Sequence, residues 1–183
     1  IKDHNLMFTK KPIFEIKNIF DFYETENIFK KYKLHKNSRW ICISNRDELY
    51  DKSQNDKYLR KSRQRNFSIK VFNKMILSAI KDGFYIIRIG VIAKEKVFIK
   101  SDKIIDLPFD NRREPKDDIF FISRCYLYFG SDSGPWTLAA MLGKKIAFVN
   151  ITEIFFLIEN LYSLKIPFLP SLAISNKFLK PIK

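Results

Sequence analysis

The sequence predicts an α/β fold, in which a parallel sheet carries helices on both faces. Short apolar runs without strict alternation recur along the chain, as expected of strands that are covered on both sides. Segments of helical periodicity separate these runs at the spacing of β-α-β units, whose crossovers are right-handed. With 183 residues, 46% of them hydrophobic, the chain is long enough for one domain with a substantial core and an appendage.

The first 38 residues are expected to form an arm, or the tail of a missing N-terminal domain. Their apolar residues recur at helical spacing only between residues 15 and 33, and both histidines, His4 and His35, lie in this segment. The chain also opens at Ile1 rather than at Met, which indicates that an N-terminal portion is missing. Residues 39–183 are expected to form the domain itself.

The elements of this domain follow in a regular order. Strands are expected at residues 40–43, 84–89, 103–107, 126–129 and 145–149, where apolar runs end at turn-forming residues. Helices are expected at residues 66–80, where Asp82 and Gly83 supply a C-cap, and at 116–124 and 136–142. A further helix near residues 151–161 and an extended stretch at 167–170 complete the chain.

Composition points away from several classes of protein. The formal charge is +14, but lysines are spread from Lys2 to Lys183 and no zinc-finger or RNA-binding signature appears, so we expect no nucleic-acid partner. Cys42 and Cys125 each lie in an apolar segment, which indicates buried free thiols in a reducing compartment. The longest apolar run, residues 146–158, is too short and polar to span a membrane, and no signal peptide is visible, which favours a cytoplasmic protein.

The loop from Gly130 to Pro135 is the most distinctive local feature. Gly134 precedes a proline and should resist helical angles, which makes it the expected N-cap, with Pro135 at the first helical position. The N–H groups of Trp136 and Thr137 would then point outward at the positive end of the helix dipole, as in a phosphate cradle. A tight turn in which Ser133 helps to cap the helix is the alternative.

Two arginines are candidates for binding an anion beside this loop. Arg46 follows the first strand and Arg88 lies near the end of the second, embedded in apolar residues where a cation needs an anionic partner. The partner of Arg88 is either a ligand phosphate or a carboxylate of the protein, Asp106 or Asp132. The alternative for Arg46 is a surface pair with Asp47 or Glu48.

Other chemistries lack their signatures. Neither the dinucleotide-binding glycine pattern nor the P-loop pattern occurs, and Gly130-Ser-Asp-Ser-Gly134 places Asp132 where a hydrolase would have its nucleophilic serine. With both histidines in the arm, a Ser-His-Asp triad has no base. The adjacent Asp117 and Asp118 point apart on a helix, so no metal site is expected.

The ordered motifs resemble bacterial glycosyltransferases of surface-polysaccharide gene clusters, over about residues 39–150. The Arg46 loop is also similar to a loop of the α-1,6-fucosyltransferase group, and Ser133-Gly-Pro135 to the donor-phosphate loop of heptosyltransferases. The motifs are Trp40-Ile-Cys-Ile-Ser-Asn-Arg-Asp47, Arg65-Asn66, Gly83-Phe-Tyr-Ile-Ile-Arg-Ile-Gly90, Lys103-Ile-Ile-Asp106, Asp118-Ile-Phe-Phe121 and Ser131-Asp-Ser-Gly134.

The resemblance implies the C-terminal, Rossmann-like half of a GT-B architecture, which holds a nucleotide-diphosphate sugar without metal or other cofactor. It implies that Arg46 holds the diphosphate, and Asp47 is our nominated base. Ser44 stands where the family usually has histidine. The implied donor-binding residues are Arg88, Gly90, Ser131, Asp132, Ser133, Gly134, Trp136 and Thr137.

The expected partners are the nucleotide sugar, a glycan or lipid-linked acceptor, and the missing N-terminal domain, with peripheral membrane contact as a further expectation. Growing negative charge on the departing diphosphate would be stabilised by pre-placed cations and N–H dipoles. The alternatives are a non-catalytic anion-binding or partner-docking module, and an epimerase of the same shape.

Overall fold

A computed structural model of the chain describes residues 20–46, 48–49, 65–131, 133–151 and 168–170. Within these ranges the helices are α1 (Phe22–Tyr32), α2 (Asn73–Lys81), α3 (Pro115–Arg124) and α4 (Pro135–Met141), with 3₁₀ turns at Ile69–Phe72 and Leu107–Phe109. The strands are β1 (Trp40–Ser44), β2 (Tyr85–Arg88), β3 (Ile104–Asp106), β4 (Leu127–Gly130), β5 (Ile146–Ile151) and β6 (Phe168–Pro170).

These strands form one parallel sheet in the order β3-β2-β1-β4-β5-β6. The central strand β1 therefore lies between β2, which follows it along the chain, and β4, which the chain reaches only after β3. Ile43 of β1 is in register with Arg88 on one side and with Phe129 on the other. The predicted parallel α/β sheet is confirmed, and its strand order is that of Rossmann-like folds.

Helices cover both faces of the sheet because successive side chains of each strand point to opposite faces. On β1, Trp40 and Cys42 pack with residues of α1, α3 and α4, whereas Ile41 and Ile43 pack with residues of α2. Each face thus buries its own apolar cluster. This explains why the central strands appear in the sequence as continuous apolar runs rather than alternating ones.

Side chains near the helix ends fix where two of the helices begin. Asp21 accepts a hydrogen bond from the Glu24 N–H at 2.7 Å and Glu24 accepts one from the Asp21 N–H at 3.2 Å, a reciprocal capping box that starts α1. The second helix begins later than predicted, because Asn66 forms a parallel β-bridge with Arg46 and cannot also open a helix. Ser68 instead caps a 3₁₀ turn that leads into α2.

The described part of the predicted arm packs on the sheet. Phe20, Ile28 and Tyr32 belong to the same buried cluster as Trp40. The rings of Phe20 and Phe120 meet edge to face with their centroids 5.1 Å apart. Residues 20–34 therefore share the core of the domain, and the arm before residue 20 lies outside the described residues.

Two further expectations about the chain are met, for the cysteines and for the extended stretch near the C-terminus. Cys42 and Cys125 are both free and buried, as predicted. The extended stretch at residues 167–170 contains β6, the edge strand beside β5. The helix expected at residues 151–161 lies outside the described residues, apart from Ile151, which ends β5. None of the helices in the described ranges is long and apolar enough to cross a membrane.

Candidate functional site

The carboxyl ends of β1 and β4 form the topological switch point of the sheet. The chain leaves β1 toward β2 on one side, whereas it leaves β4 toward β5 on the other. Loops that diverge in this way leave a crevice between them, and open α/β sheets bind their ligands there. Ser44 and Gly130 end the two strands in register with each other and mark the base of this crevice.

Three hydroxyl groups converge at the base of the crevice. Ser44 Oγ is hydrogen-bonded to the Tyr128 hydroxyl and lies 3.3 Å from Ser133 Oγ. Gly130 makes this approach possible, since a Cβ there would lie 2.7 Å from the Ser44 carbonyl oxygen and 3.2 Å from the Tyr128 hydroxyl. A side chain at position 130 would therefore force the backbone of β1 away from β4.

Burial raises the pKa of the Tyr128 phenol above its ordinary value, and hydrogen bonds from Ser44 and Ser133 oppose the shift only in part. The side chain is fully buried. Tyr128 consequently stays protonated over the physiological range and can donate a hydrogen bond. Its role is to hold the Ser44 and Ser133 hydroxyls in place by hydrogen bonding, not to accept a proton as a base.

The raised pKa predicts how stability depends on pH. An unfolded tyrosine loses its proton near pH 10, while folded Tyr128 keeps it, so its contribution to stability is full below about pH 10 and is lost as the pH rises further. Urea unfolding at about pH 8 and about pH 10.5 should therefore show a steeper alkaline loss for the wild-type protein than for Tyr128→Phe. Tyr126→Phe, whose ring is half exposed, is the matched control; equal alkaline losses in wild type and Tyr128→Phe would contradict the prediction.

Ser131 adds a buried hydroxyl at the same edge. Its backbone N–H donates to the Ser44 carbonyl at 3.3 Å, and its carbonyl accepts from the Ser133 N–H at 2.8 Å. No hydrogen bond joins its buried Oγ to another group of the described chain. Since an unpaired buried hydroxyl costs free energy, this group is a candidate donor to a ligand. The neighbouring Asp132 lies outside the described residues.

Arg46 lies just beyond β1, beside the crevice, and only 8% of it is exposed. Its backbone is held by the bridge to Asn66 and by a hydrogen bond from the Phe67 N–H to its carbonyl at 3.1 Å. The Asn45 side-chain amide donates to the Phe67 carbonyl at 2.9 Å and reinforces the same contact. The strand end that carries Arg46 is thus fixed, while Asp47 lies outside the described residues.

Arg88 is bound by groups of the protein. Its guanidinium, 1% exposed, donates to the Glu95 carbonyl at 2.5 Å, to Asn45 Oδ1 at 2.8 Å and to Asp106 Oδ1 at 3.4 Å. Pairing with Asp106 is one of the two alternatives that the sequence left open. Arg88 reaches the candidate site through Asn45, the residue before Arg46, and so acts as a positioning residue.

The start of α4 differs from the expected phosphate cradle. Gly134 is at the N-cap and Pro135 at the first turn, but Gly134 has helical angles, φ −38° and ψ −43°. Without a Cβ, glycine avoids part of the clash that keeps a residue before proline out of the helical region. The Trp136 and Thr137 N–H groups donate to the carbonyls of Ser133 and Gly134, both at 3.1 Å, rather than pointing outward as expected.

The structure thus brings together some of the predicted residues and separates others. Ser131 and Ser133 meet Ser44 at the switch point, whereas Gly90 (φ +138°) follows β2 and faces Pro108 on the other side of β1. The Trp136 ring packs against Phe148 with centroids 5.4 Å apart.

Sequence reasoning missed Tyr128 and Asn45, which belong to the same site. Tyr128 looked like an ordinary core aromatic. Tyr128 lies two residues before Gly130 and therefore on the same face of β4. This spacing is the signal in the sequence that could have assigned it to the crevice. Asn45 lies directly before the arginine that the resemblance singled out.

The polar groups that the described residues bring to this end of the sheet are serine hydroxyls and the side chain of Arg46. Within the described ranges, no group of three or more His, Cys, Asp or Glu side chains is placed to hold a metal ion. Comparison of the chain with family models, with curated proteins and with solved structures gave no match.

Proposed function

We propose that this chain is the donor-binding half of a cytoplasmic, metal-independent glycosyltransferase of GT-B type. It would hold a nucleotide-diphosphate sugar, and a missing N-terminal domain would present a glycan or lipid-linked acceptor. The observation that carries the proposal is the switch point between β1 and β4, where serine hydroxyls converge at the ends of parallel strands and a buried arginine, Arg46, follows β1. The resemblance of the ordered motifs supplies the reaction class.

The chemistry of sugar transfer suits this arrangement. Negative charge grows on the diphosphate as the sugar–phosphate bond breaks, and donors that are already in place stabilise it without reorganisation. Arg46 would contact the diphosphate through two parallel N–H donors, and Ser131 and Ser133 would donate from the β4 loop. Ser44 stands where the family usually has histidine. Its hydroxyl, hydrogen-bonded to Tyr128, would fix the position of the loop after β4.

Binding of nucleoside diphosphates tests the proposal. We expect Arg46→Ala to weaken binding of the preferred one among UDP and GDP at least tenfold, about 1.4 kcal/mol, because it removes the charged contact. Arg46→Lys should recover only part of the loss, since lysine lacks the planar fork of donors. Affinities would be measured by calorimetry on protein whose fold is checked by circular dichroism.

Two further variants make the result interpretable. Ser133→Ala removes a hydroxyl without removing a charge and should weaken binding about threefold to tenfold. Lys96→Ala removes an exposed charge from the segment between β2 and β3 and should leave binding unchanged. Unchanged affinity in a folded Arg46→Ala protein would rule out its proposed role.

A non-catalytic anion-binding module is the second candidate. It is favoured by Ser44, whose hydroxyl is engaged with Tyr128, and by the Trp136 and Thr137 amides, which are engaged within their own loop. Such a module would bind a nucleoside diphosphate and leave a nucleotide sugar intact. Release of sugar from UDP- or GDP-sugars, absent in Arg46→Ala, would exclude it.

A further inference from the structure

We propose a second ligand site, for an aromatic phosphate monoester, at the opposite edge of the sheet from the crevice. A cavity of about 330 Å³ opens there, where α1 and α3 end beside the amino-terminal ends of β1 and β4. Its volume falls at the lower end of the range of small-molecule pockets, which fits a ligand of one or two rings. The proposal is independent of the function proposed for the crevice.

Three basic side chains line this cavity, and no acidic side chain is among its lining residues. The basic side chains are Lys36, Arg39 and Arg124. The Arg39 guanidinium stacks 4.5 Å from the centre of the Phe84 ring, and no group of the described chain accepts a hydrogen bond from it. Its N–H donors therefore remain for a ligand.

The second arginine is held in a similar way. The Arg124 guanidinium lies 4.9 Å over the Phe120 ring and donates to the neutral Thr25 hydroxyl at 3.2 Å. Lys36 is more exposed: 74% of its side chain is accessible to solvent, and its Nζ forms an ion pair with Glu26 at 3.6 Å. Two pre-placed guanidiniums and a rim lysine suit the double negative charge of a phosphate monoester.

Aromatic side chains provide the apolar wall. Trp40 is 4% exposed, and its indole N–H donates to the Phe121 carbonyl at 2.9 Å, which fixes the ring. Tyr126 is half exposed and is supported from below by Phe84, with ring centroids 5.1 Å apart. A flat ring bound in the cavity would contact these side chains and bring its phosphate to the arginines that share the lining.

The two tryptophans of the chain allow the two sites to be observed separately. Trp40 lines the cavity at the amino-terminal ends of the strands, whereas Trp136 lies at the start of α4, near the carboxyl ends of the strands where the crevice is. In a Trp136→Phe protein, fluorescence therefore reports Trp40 alone. We expect phenyl phosphate to change this emission saturably, and phenol and inorganic phosphate each to bind at least tenfold more weakly.

Charge variants in the Trp136→Phe background locate the ligand. Arg39→Ala and Arg124→Ala should each weaken phenyl phosphate binding at least fivefold, and both residues are exposed enough for the fold to survive. Lys74→Ala, an exposed lysine of α2 on the other face, and Arg46→Ala in the crevice should leave the titration unchanged. The proposal is overturned if no saturable change occurs, if phenol binds as tightly as phenyl phosphate, or if Lys74→Ala weakens binding as much as Arg39→Ala.

Discussion

Replacing Arg88 with alanine is expected to lower the free energy of unfolding by about 3–5 kcal/mol. Arg88 is 1% exposed, and its guanidinium is shared among Asp106, Asn45 and the Glu95 carbonyl. Without it, the Asp106 carboxylate remains in a region from which water is largely excluded and has lost its cation. Urea unfolding at about pH 7 measures the loss, and Arg124→Ala, which removes an exposed arginine, should stay within about 0.5 kcal/mol of wild type.

The pH dependence of this loss identifies its cause. Burial raises the pKa of Asp106 even in the wild-type protein, because desolvation outweighs the opposing hydrogen bond from the Val97 N–H and the attraction of Arg88. Removing the cation should raise this pKa further above the unfolded value of about 3.9, so the folded state holds the proton more tightly. The penalty is full above the folded pKa and shrinks as the pH falls through it, so the deficit of Arg88→Ala should be smaller at about pH 4.5 than at about pH 7.

A double variant separates the charge from the packing. Arg88→Met/Asp106→Asn removes both charges and keeps most of the volume, so it should recover at least half of the stability lost in Arg88→Ala. Arg88→Ala also removes the hydrogen bond to Asn45, which precedes Arg46, so this variant should lose affinity at the crevice as well as stability. A loss below about 1 kcal/mol in Arg88→Ala would mean that the pair contributes no more than a surface pair.

The sheet could be predicted from the sequence because it depends on local signals. Continuous apolar runs, with helical periods between them, are visible along the chain, and all the predicted strands appear within a residue or two of their expected bounds. The start of α2 was wrong because Asn66 pairs with Arg46, about twenty residues away, and no local propensity encodes that bridge. The order of strands follows from the same kind of distant pairing.

The candidate site was predictable only in part, for a related reason. Parallel strands bring their carboxyl ends to one edge, so the convergence of the β1 and β4 loops followed from the fold class. The partners of individual polar groups did not, since Tyr128 meets Ser44 across 84 positions of sequence and Arg88 meets Asn45 across 43. The prediction that the Trp136 and Thr137 N–H groups point outward was wrong. The backbone angles of Gly134 decide which carbonyls these groups reach, and the residue type alone does not reveal those angles.

Replacing Asp117 with alanine is expected to lower the free energy of unfolding by about 3 kcal/mol. Asp117 is fully buried on α3, and its Oδ2 accepts hydrogen bonds from the Tyr32 hydroxyl at 2.7 Å and the Glu114 N–H at 2.7 Å, with Lys31 Nζ at 2.8 Å. The substitution leaves the buried Tyr32 hydroxyl without its acceptor. Because 18% of the Lys31 side chain reaches solvent, we set the loss at the lower end of the range for buried pairs.

The variant also decides whether α1 is energetically part of the domain. Tyr32 and Lys31 lie on α1 and Asp117 on α3, so the network is a direct polar link between the N-terminal segment and a helix that packs on the sheet. If the link belongs to the cooperative core, Asp117→Ala shifts the whole unfolding transition, while Glu114→Gln, which changes an exposed partner of Lys31, does not. If α1 is only docked, hydrogen exchange quickens in residues 22–32 alone and the global transition stays in place. Global destabilisation is expected, because Phe20, Ile28 and Tyr32 share their buried cluster with Trp40 of the central strand, so α1 cannot leave without exposing the core of the sheet.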